Sequence, residues 1–354
     1  MIRFSAFPYT LHFIRPAGTS RGIYTERKVW YVVAQDGDSG AIGIGEAAPL
    51  PGLSIDDRAD FAQAIEALLS SLTAPLCKED FFRFESFPSL LFAVETACRH
   101  LDRQSWALYD TPFAQGGEGI PINGLIWMGP YEVMCRRIKE KLEQGFRCIK
   151  IKIGAIDFDE ELRLLQLVRR DFSPSEVELR VDANGAFRME EATKKLKQLA
   201  SYRLHSIEQP IAAGNWQAMA ELCRLEILPI ALDEELIPLA AQRNKEELLA
   251  TIRPQYIILK PSLHGALYGT NQWIEMAQKY QIGYWITSAL ESNIGLNALA
   301  HYTASLQPSI PQGLGTGLLF HNNLPTALQI DGDRLFYCPE MTISPEAVCT
   351  LFVT

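Results

Sequence analysis

The chain has 354 residues, of which 47% are hydrophobic and 21% are charged, and its formal net charge is −9. This length is sufficient for a barrel together with a second domain, and the composition is typical of an enzyme with a large apolar core. Because no basic run offsets the acidic balance, nucleic acid and anionic membrane surfaces are excluded as expected partners.

Cysteine usage and the N-terminus bear on the compartment. The seven cysteines include no C-x-x-C pair, which is typical of unpaired thiols in a reducing environment. The first residues alternate in polarity and do not resemble a signal peptide, and no run of about 18 apolar residues predicts a membrane span. We therefore expect a cytoplasmic protein, and a homo-oligomer stays possible.

The N-terminal block has an α+β pattern. Alternating stretches at residues 2–12, 29–34 and 41–46 predict strands, and helical spacing at 56–72 and 89–108 predicts two helices. The loop at residues 15–22 is rich in Gly, Pro and hydroxyl groups. It is either a mobile hairpin loop or a lid whose Ser20 and Arg21 meet an anionic ligand.

A regular alternation of strands and helices begins near residue 120. Apolar strands open near residues 121, 148, 177, 204, 228, 256, 283 and 312. Amphipathic stretches that predict helices lie between them, for example at residues 131–144 and 189–201. About seven such units predict an α/β fold, specifically a (β/α) barrel. A doubly wound open sheet has the same local pattern, but the chain lacks the glycine-rich nucleotide motifs that would favour it.

The stretch C-I-K-I-K-I-G at residues 148–154 is the most informative strand. Because side chains alternate along a strand, Lys150 and Lys152 point to one face and the isoleucines to the other. In a parallel strand that helices cover, a face with two lysines must point into a polar interior. The mouth of a barrel provides such an interior.

Carboxylates follow at the ends of the next strands. Asp182, Glu208, Asp233 and then Lys260 succeed Lys152 at intervals of 25–30 residues, which is one strand–helix unit each. The ends of successive parallel strands converge, and three carboxylates that meet there require a hard cation such as Mg²⁺. Asn184 and Glu234 stand beside these residues, either as supports of the ligands or as helix caps. No histidine or cysteine occupies these strand ends, so zinc is not expected.

This arrangement predicts removal of a proton next to a substrate carboxylate. Lys152 is nearer the C-terminal end of its strand and is the candidate base, whose uncharged form the neighbouring cations favour. Lys150 supports that form or binds the carboxylate. Trp127 and Trp285 also stand near strand ends, where they border the pocket or pack in the core.

Together these residues resemble the enolase superfamily, muconate-lactonizing subgroup, over nearly the whole chain. The lysine pair, the three carboxylates and Lys260 all match motif positions of that superfamily. The resemblance implies a (β/α)7β TIM-like barrel at residues 116–324. It also implies an α+β capping domain formed by residues 1–115 and joined by residues 325–354.

Within the subgroup, the chain resembles the o-succinylbenzoate synthase family. The segments that carry this resemblance are PAGTSRG (16–22), GEAAPLPGLS (45–54), ILKPSLHG (258–265), TSALESNIGL (287–296) and QGLGTGLLF (312–320). The resemblance implies a lyase of menaquinone biosynthesis that uses Mg²⁺, with Mn²⁺ as a possible substitute. Its small-molecule carboxylate substrate would be 2-succinyl-6-hydroxy-2,4-cyclohexadiene-1-carboxylate, which loses water in a syn elimination to give o-succinylbenzoate.

The same resemblance implies roles for individual residues. Lys152 would take the proton and return it to the leaving hydroxyl, while Lys260 would hold the ring by a cation–π contact. Asn293 departs from the serine expected there, which implies a slightly altered pocket for the succinyl tail. The residues implied to line that pocket are Ser288, Glu291, Ser292, Gly315 and Thr316.

Three alternatives stay open at this point. An N-acylamino acid racemase, dipeptide epimerase or muconate cycloisomerase would keep the metal site and the lysines, although G-L-G-T-G at residues 313–317 lacks the Asp-x-Asp of dipeptide epimerases. A Schiff-base aldolase would use Lys152 or Lys260 as a nucleophile and would need no metal. A non-catalytic barrel that binds a ligand is the third.

Overall fold

The computed structural model describes residues 1–19, 22–72, 76–239 and 242–353. Ser20 and Arg21, the predicted lid residues, lie outside the described residues. Within the described ranges, no helix combines the length and the apolar character that crossing a membrane requires.

An antiparallel sheet opens the chain. Its order is β1-β2-β3, and β1 extends beyond the predicted residues 2–12 because its register with β2 shifts between His12 and Ala17 and pairing then resumes. The strands are β1 (Ile2–Thr19), β2 (Gly22–Asp36) and β3 (Ile42–Ala47).

Three helices follow this sheet. They are α1 (Phe61–Ser70), α2 (Lys78–Arg83) and α3 (Pro88–Arg103). The apolar helix α3 packs on β3, where a Cβ atom at Gly45 would overlap the carbonyl oxygen of Ala93. Glycine at this position therefore allows the two backbones to approach closely. The helix ends where Gln104 takes a left-handed conformation.

The central part of the chain alternates strands and helices. Its elements are β4 (Ile120–Pro121), β5 (Gly124–Ile126), α4 (Tyr131–Glu143), β6 (Cys148–Lys152), α5 (Phe158–Asp171), β7 (Glu178–Asp182), α6 (Met189–Ala200), β8 (Ser206–Glu208), α7 (Trp216–Arg224), β9 (Ile230–Leu232), α8 (Gln242–Ile252), β10 (Tyr256–Leu259), α9 (Ala266–Lys279), β11 (Gly283–Ile286) and α10 (Asn293–Ser305). Local signals start some of these helices: Asp157 caps α5, Asn215 caps α7 and Ser292 caps α10.

Strands β5 to β11 form one curled sheet in sequence order, and every pair in it is parallel. Ile149, Ile151 and Ile153 are buried on the helix-covered side of β6, as its alternation predicts. Gln312 forms an isolated bridge with Ile122 at one edge of the sheet, and Gly313 forms another with Thr287 at the other edge.

The tail contains β12 (Leu328–Asp331), β13 (Arg334–Tyr337) and α11 (Pro345–Cys349), and short 3-10 helices lie at Phe113–Gln115 and Pro339–Met341. Strands β12 and β13 form a hairpin, and β13 pairs with β4. Phe352, which follows α11, contacts Phe7 and Tyr31 of the first sheet. The tail therefore contacts both parts of the chain. The predicted domain boundaries at 115/116 and 324/325 stay a prediction.

Candidate active site

The strand register brings the predicted site residues together. Lys152 on β6 pairs with Asp182 on β7, and Asp182 pairs with Glu208 on β8. Because these strands are parallel, the three side chains leave the sheet at the same C-terminal edge. Asp233 and Lys260 follow directly after β9 and β10 at that edge.

Lys152 is held by two oxygen atoms of the strand β7 segment. Its Nζ donates to Asp182 Oδ2 at 3.0 Å and to Asn184 Oδ1 at 2.8 Å. Asn184 has a left-handed backbone with φ of 44°, a conformation that asparagine tolerates better than most residues. Its side-chain nitrogen donates to Glu234 Oε1 at 3.0 Å, so Asn184 links Glu234 to Lys152.

Lys150 and Lys260 each form buried ion pairs. Lys150 Nζ lies 3.1 Å from Asp182 Oδ2 and also contacts Glu208 Oε2. Lys260 Nζ donates to Asp233 Oδ2 at 2.5 Å. The backbone nitrogen of Lys260 donates to Nδ1 of the buried His264, a contact that sequence reasoning missed.

Neighbouring charges determine how the pKa values of these groups shift. Burial favours neutral Lys150, but Asp182 and Glu208 outweigh burial and raise the pKa of Lys150. Asp233 likewise outweighs burial at Lys260 and raises its pKa. Both lysines therefore keep their charge near neutral pH, as counter-ions rather than bases. Burial, reinforced by Asp182, raises the pKa of Glu208 well above its ordinary value.

The carboxylate oxygens of the site are suited to a cation. Asp233 Oδ1 and Glu234 Oε2 are buried and have no hydrogen-bond donor among the described residues, whereas Glu208 Oε2 is paired with the ammonium group of Lys150. In the described part of the cavity, four carboxylates face three lysines. The negative charge is therefore in excess, and it increases when a lysine loses its proton.

The carboxylate groups of the described residues do not surround a single point in this structure. No group of three or more His, Cys, Asp or Glu side chains in the described ranges is close enough to hold a metal ion as it stands. The ammonium groups of Lys150 and Lys260 instead contact these carboxylates. The donor set fits a hard divalent ion by its oxygen chemistry and its unpaired atoms.

One cavity contains most of the residues that the sequence singles out. The volume of this cavity is about 110 Å³. The predicted residues that line it are Lys150, Lys152, Asp182, Asn184, Glu208, Asp233, Glu234, Lys260, Ser288, Gly315, Thr316, Trp127 and Trp285.

Other lining residues were missed by sequence reasoning. They are Tyr24, Leu50, Leu53, Asn123, Leu125, Thr287, Ala289, Leu290 and Gly313. The sequence pattern around β5 could have indicated three of the lining residues. Asn123, Leu125 and Trp127 occupy every second position, and Leu125 pairs with Lys150. This alternation places them on the same inward face as the lysines.

Glu291 and Ser292 do not line the cavity, in contrast to the expectation for the succinyl pocket. Glu291 accepts hydrogen bonds from Ser262 Oγ at 2.5 Å and from the backbone nitrogen of Ala289 at 2.6 Å. Ser292 donates both its backbone nitrogen and its hydroxyl to Glu46. The bond to Ala289, which lines the cavity, shows that Glu291 supports the pocket wall from outside the lining, and Ser292 is held in the same segment.

Asn293 is also outside the cavity lining. Its side-chain nitrogen donates to the carbonyl oxygen of Leu324 at 2.5 Å, and its backbone nitrogen donates to Asn323 Oδ1 at 2.9 Å. An altered pocket at this position therefore does not follow from the structure. Ser288 does reach the cavity, where its hydroxyl lies 2.7 Å from the hydroxyl of Thr316.

A buried arginine joins the first sheet to the rim of the cavity. Arg27 Nη1 and Nη2 donate at 2.5 Å to the carbonyl oxygens of Pro49 and Ala48. The same guanidinium reaches the carbonyl oxygens of Ala289 at 3.2 Å and Leu290 at 3.4 Å. Arg27 thus holds together two loops whose tips line the cavity.

Glu46 should make stability depend on pH. Burial raises the pKa of Glu46 from 4.5 to about 7. The contribution of Glu46 to the free energy of unfolding is therefore full below its unfolded-state pKa, and it is lost as pH rises through about 7. Between pH 5 and pH 8, we expect the free energy of unfolding of the wild type to fall by on the order of 2 kcal/mol more than that of Glu46→Gln. Denaturant unfolding at both pH values measures this, with the exposed Glu26→Gln as control. An equal change in the free energy of unfolding for the wild type and Glu46→Gln would contradict this prediction.

Comparison with known proteins agrees with this geometry. The profile of the family "Enolase C-terminal domain-like" matches residues 133–334. The o-succinylbenzoate synthase of Desulfotalea psychrophila is 46% identical over 92% of this chain and 96% of its own length. The chain belongs to the o-succinylbenzoate synthase family. That family lies within the enolase superfamily, and the chain is accordingly a carbon–oxygen lyase.

Solved structures support the same family assignment. The crystal structure of MenC from Desulfotalea psychrophila superposes with a TM-score of 0.82 at 41% identity and covers 95% of this chain and 99% of that one. The o-succinylbenzoate synthase of Thermosynechococcus elongatus BP-1, solved with Mg in its active site, superposes with a TM-score of 0.72 at 24% identity, over 88% and 92% of the two chains. The second likeness concerns the fold alone.

Proposed function

We propose that the chain removes water from 2-succinyl-6-hydroxy-2,4-cyclohexadiene-1-carboxylate to give o-succinylbenzoate in menaquinone biosynthesis. The observation that carries this proposal is the position of Lys152 Nζ, which shares one cavity with Asp182, Glu208 and Asp233. The family membership supplies the substrate.

Asp182, Glu208 and Asp233 are the proposed ligands of Mg²⁺, with Mn²⁺ as a substitute. This proposal is supported by the hard oxygen donor set and by Asp233 Oδ1, which has no hydrogen-bond donor among the described residues. Glu234 and Asn184 would hold the neighbouring ligands in place through their hydrogen bond. When bound, the metal ion supplies a Lewis acid for the substrate carboxylate.

Lys152 carries the proton in this proposal. Its uncharged Nζ removes the hydrogen from the ring carbon next to the carboxylate and becomes an ammonium. The same Nζ then gives that proton to the leaving hydroxyl on the same face, the C–O bond breaks, and water departs as the ring becomes aromatic. Asp182 and Asn184 stabilise the ammonium between the two transfers.

Lys260 and Lys150 act through their charge. The pKa of Lys260 is raised chiefly by Asp233 against the effect of burial, so it suits a cation–π contact with the ring better than a second base. The positive charge of Lys150 compensates the negative charges of Asp182 and Glu208. Ser288, Gly315 and Thr316 line the cavity and would contact the succinyl tail.

The finer architecture belongs to the same proposal. The bridges of Gln312 and Gly313 to both edges of the parallel sheet would complete a (β/α)7β barrel. Residues 1–115 and 325–354 would form the capping domain, whose Leu50 and Leu53 reach the cavity and help to exclude water. A cytoplasmic location and a possible homo-oligomer remain predictions.

Two assays on the wild-type protein with Mg²⁺ test the proposed function. We expect loss of the diene and formation of o-succinylbenzoate, because the base and the acid are the same Lys152 Nζ. We expect no deuterium exchange in D₂O at the α-carbon of the N-succinyl amino acid enantiomer whose α-hydrogen faces Lys260, because a charged Lys260 cannot remove that proton. Exchange without dehydration would show a racemase or epimerase instead, and dehydration with exchange would show both activities.

A further inference from the structure

Backbone hydrogen bonds close the parallel sheet only in part beside the active site. The nitrogen of Gln312 donates to the oxygen of Pro121 at 2.8 Å, and the nitrogen of Asn123 donates to the oxygen of Gln312 at 3.0 Å. No backbone hydrogen bond among the described residues joins 124–127 to 314–317. This stretch without backbone hydrogen bonds, between residues 124–127 and 314–317, is called the seam below.

A second cavity lies on the other side of the seam. Its volume is about 640 Å³, and five residues line both this cavity and the active-site cavity. These shared residues are Asn123, Leu125, Trp127, Gly315 and Thr316. The ring of Trp127 lies 5.9 Å from Lys152 Nζ, so the seam begins within one side-chain length of the proposed base.

The second cavity is positively charged although the chain as a whole has a net charge of −9. Its described lining contains Arg15, Arg137 and Lys141 against the single acid Glu140. Arg137 Nη1 donates to the carbonyl oxygen of Trp127 at 3.0 Å, which places its guanidinium beside the seam. Neither arginine has a carboxylate partner within 4 Å in the described part of the chain.

The two arginines line the same cavity. Burial, and next the charge of Arg15, lower the pKa of Arg137. Two guanidinium groups that repel each other at the edge of a cavity are stabilised by an anion between them, and guanidinium binds carboxylates through paired hydrogen bonds. The proposed substrate has such an anion, because its succinyl chain ends in a carboxylate.

We propose that Arg137 and Arg15 form a carboxylate subsite in the second cavity, which receives the chain-end carboxylate of a dicarboxylate substrate through the seam. This inference rests on the proposed function and extends it. The ring carboxylate stays with the acidic cluster in the first cavity, while Ser288 and Thr316 contact the chain between the two carboxylates. The subsite thus selects substrates with a second negative charge at the far end.

Binding of two ligands tests the subsite. Calorimetry with Mg²⁺ compares o-succinylbenzoate with 2-butanoylbenzoate, in which a methyl group replaces the chain-end carboxylate. We expect Arg137→Gln and Arg15→Gln each to weaken binding of o-succinylbenzoate by about tenfold or more, because a charge-assisted contact is lost. Binding of 2-butanoylbenzoate should not change, and Arg137→Lys should retain part of the affinity for the dicarboxylate.

Matched controls separate this effect from damage to the fold. Lys139→Gln removes a charge from the exposed face of α4, outside the lining of both cavities, so binding should be unaffected. Arg15→Gln leaves the bonds of Arg137 to the Trp127 loop intact. Equal weakening of both ligands, or unchanged binding of the dicarboxylate, would overturn the subsite. If the wild type also fails to dehydrate the diene, the proposed function falls with it; if it succeeds, only the subsite falls.

Discussion

Replacement of Lys152 by Gln is expected to lower kcat by about 10²–10⁴-fold, the usual contribution of a positioned acid or base. The same Nζ removes the proton and returns it to the leaving hydroxyl, so both halves of the elimination lose their catalyst. Glutamine retains a donor for Asp182 Oδ2 and Asn184 Oδ1, which limits the effect on folding. The measurement is kcat for loss of the diene, together with a thermal melt of each protein.

The control for this variant is Lys139→Gln. Lys139 is exposed on α4, outside the lining of the active-site cavity, and its loss should leave kcat unchanged. Turnover by Lys152→Gln at the wild-type rate would exclude Lys152 as the base. The catalytic group would then have to be another residue, and this cavity would bind a ligand without Lys152 acting on it.

Removal of divalent metal by EDTA is expected to abolish turnover, and Mg²⁺ should restore it. With the cation absent, four carboxylates share three lysines, and Asp233 Oδ1 and Glu234 Oε2 have no hydrogen-bond donor among the described residues. Activity that survives chelation would favour a Schiff-base aldolase, in which case borohydride would trap a substrate adduct on Lys152 or Lys260.

Thermal stability gives a second measure of the metal site that does not depend on activity. At about 100 times its dissociation constant, Mg²⁺ should stabilise the wild type by on the order of 2–3 kcal/mol through mass action. Glu208→Gln should lose this Mg²⁺-induced shift, whereas Glu221→Gln on α7, which is outside the cavity lining, should keep it. An equal Mg²⁺-induced shift in Glu208→Gln would exclude Glu208 as a ligand. The shift is the measure, because loss of a buried carboxylate changes the melting temperature by itself.

The secondary structure between residues 120 and 305 follows closely from the sequence. The stretch predicted as a helix at residues 131–144 is observed as α4 (Tyr131–Glu143), and the one at 189–201 as α6 (Met189–Ala200). The strong amphipathic period of these segments explains the agreement. The predicted strand near residue 312 is reduced to two isolated bridges, from Gln312 to Ile122 and from Gly313 to Thr287.

The sequence by itself determined which side chains meet at the acidic edge. A strand side-chain period of two and a strand–helix unit of 25–30 residues place Lys152, Asp182 and Glu208 in one row, and the observed register confirms this row. Only the tertiary structure decided what surrounds them. Glu46 meets Ser292 across 246 residues of chain, and Arg27 holds two loops by their carbonyl oxygens. Such contacts have no local period, because they depend on how separate elements pack.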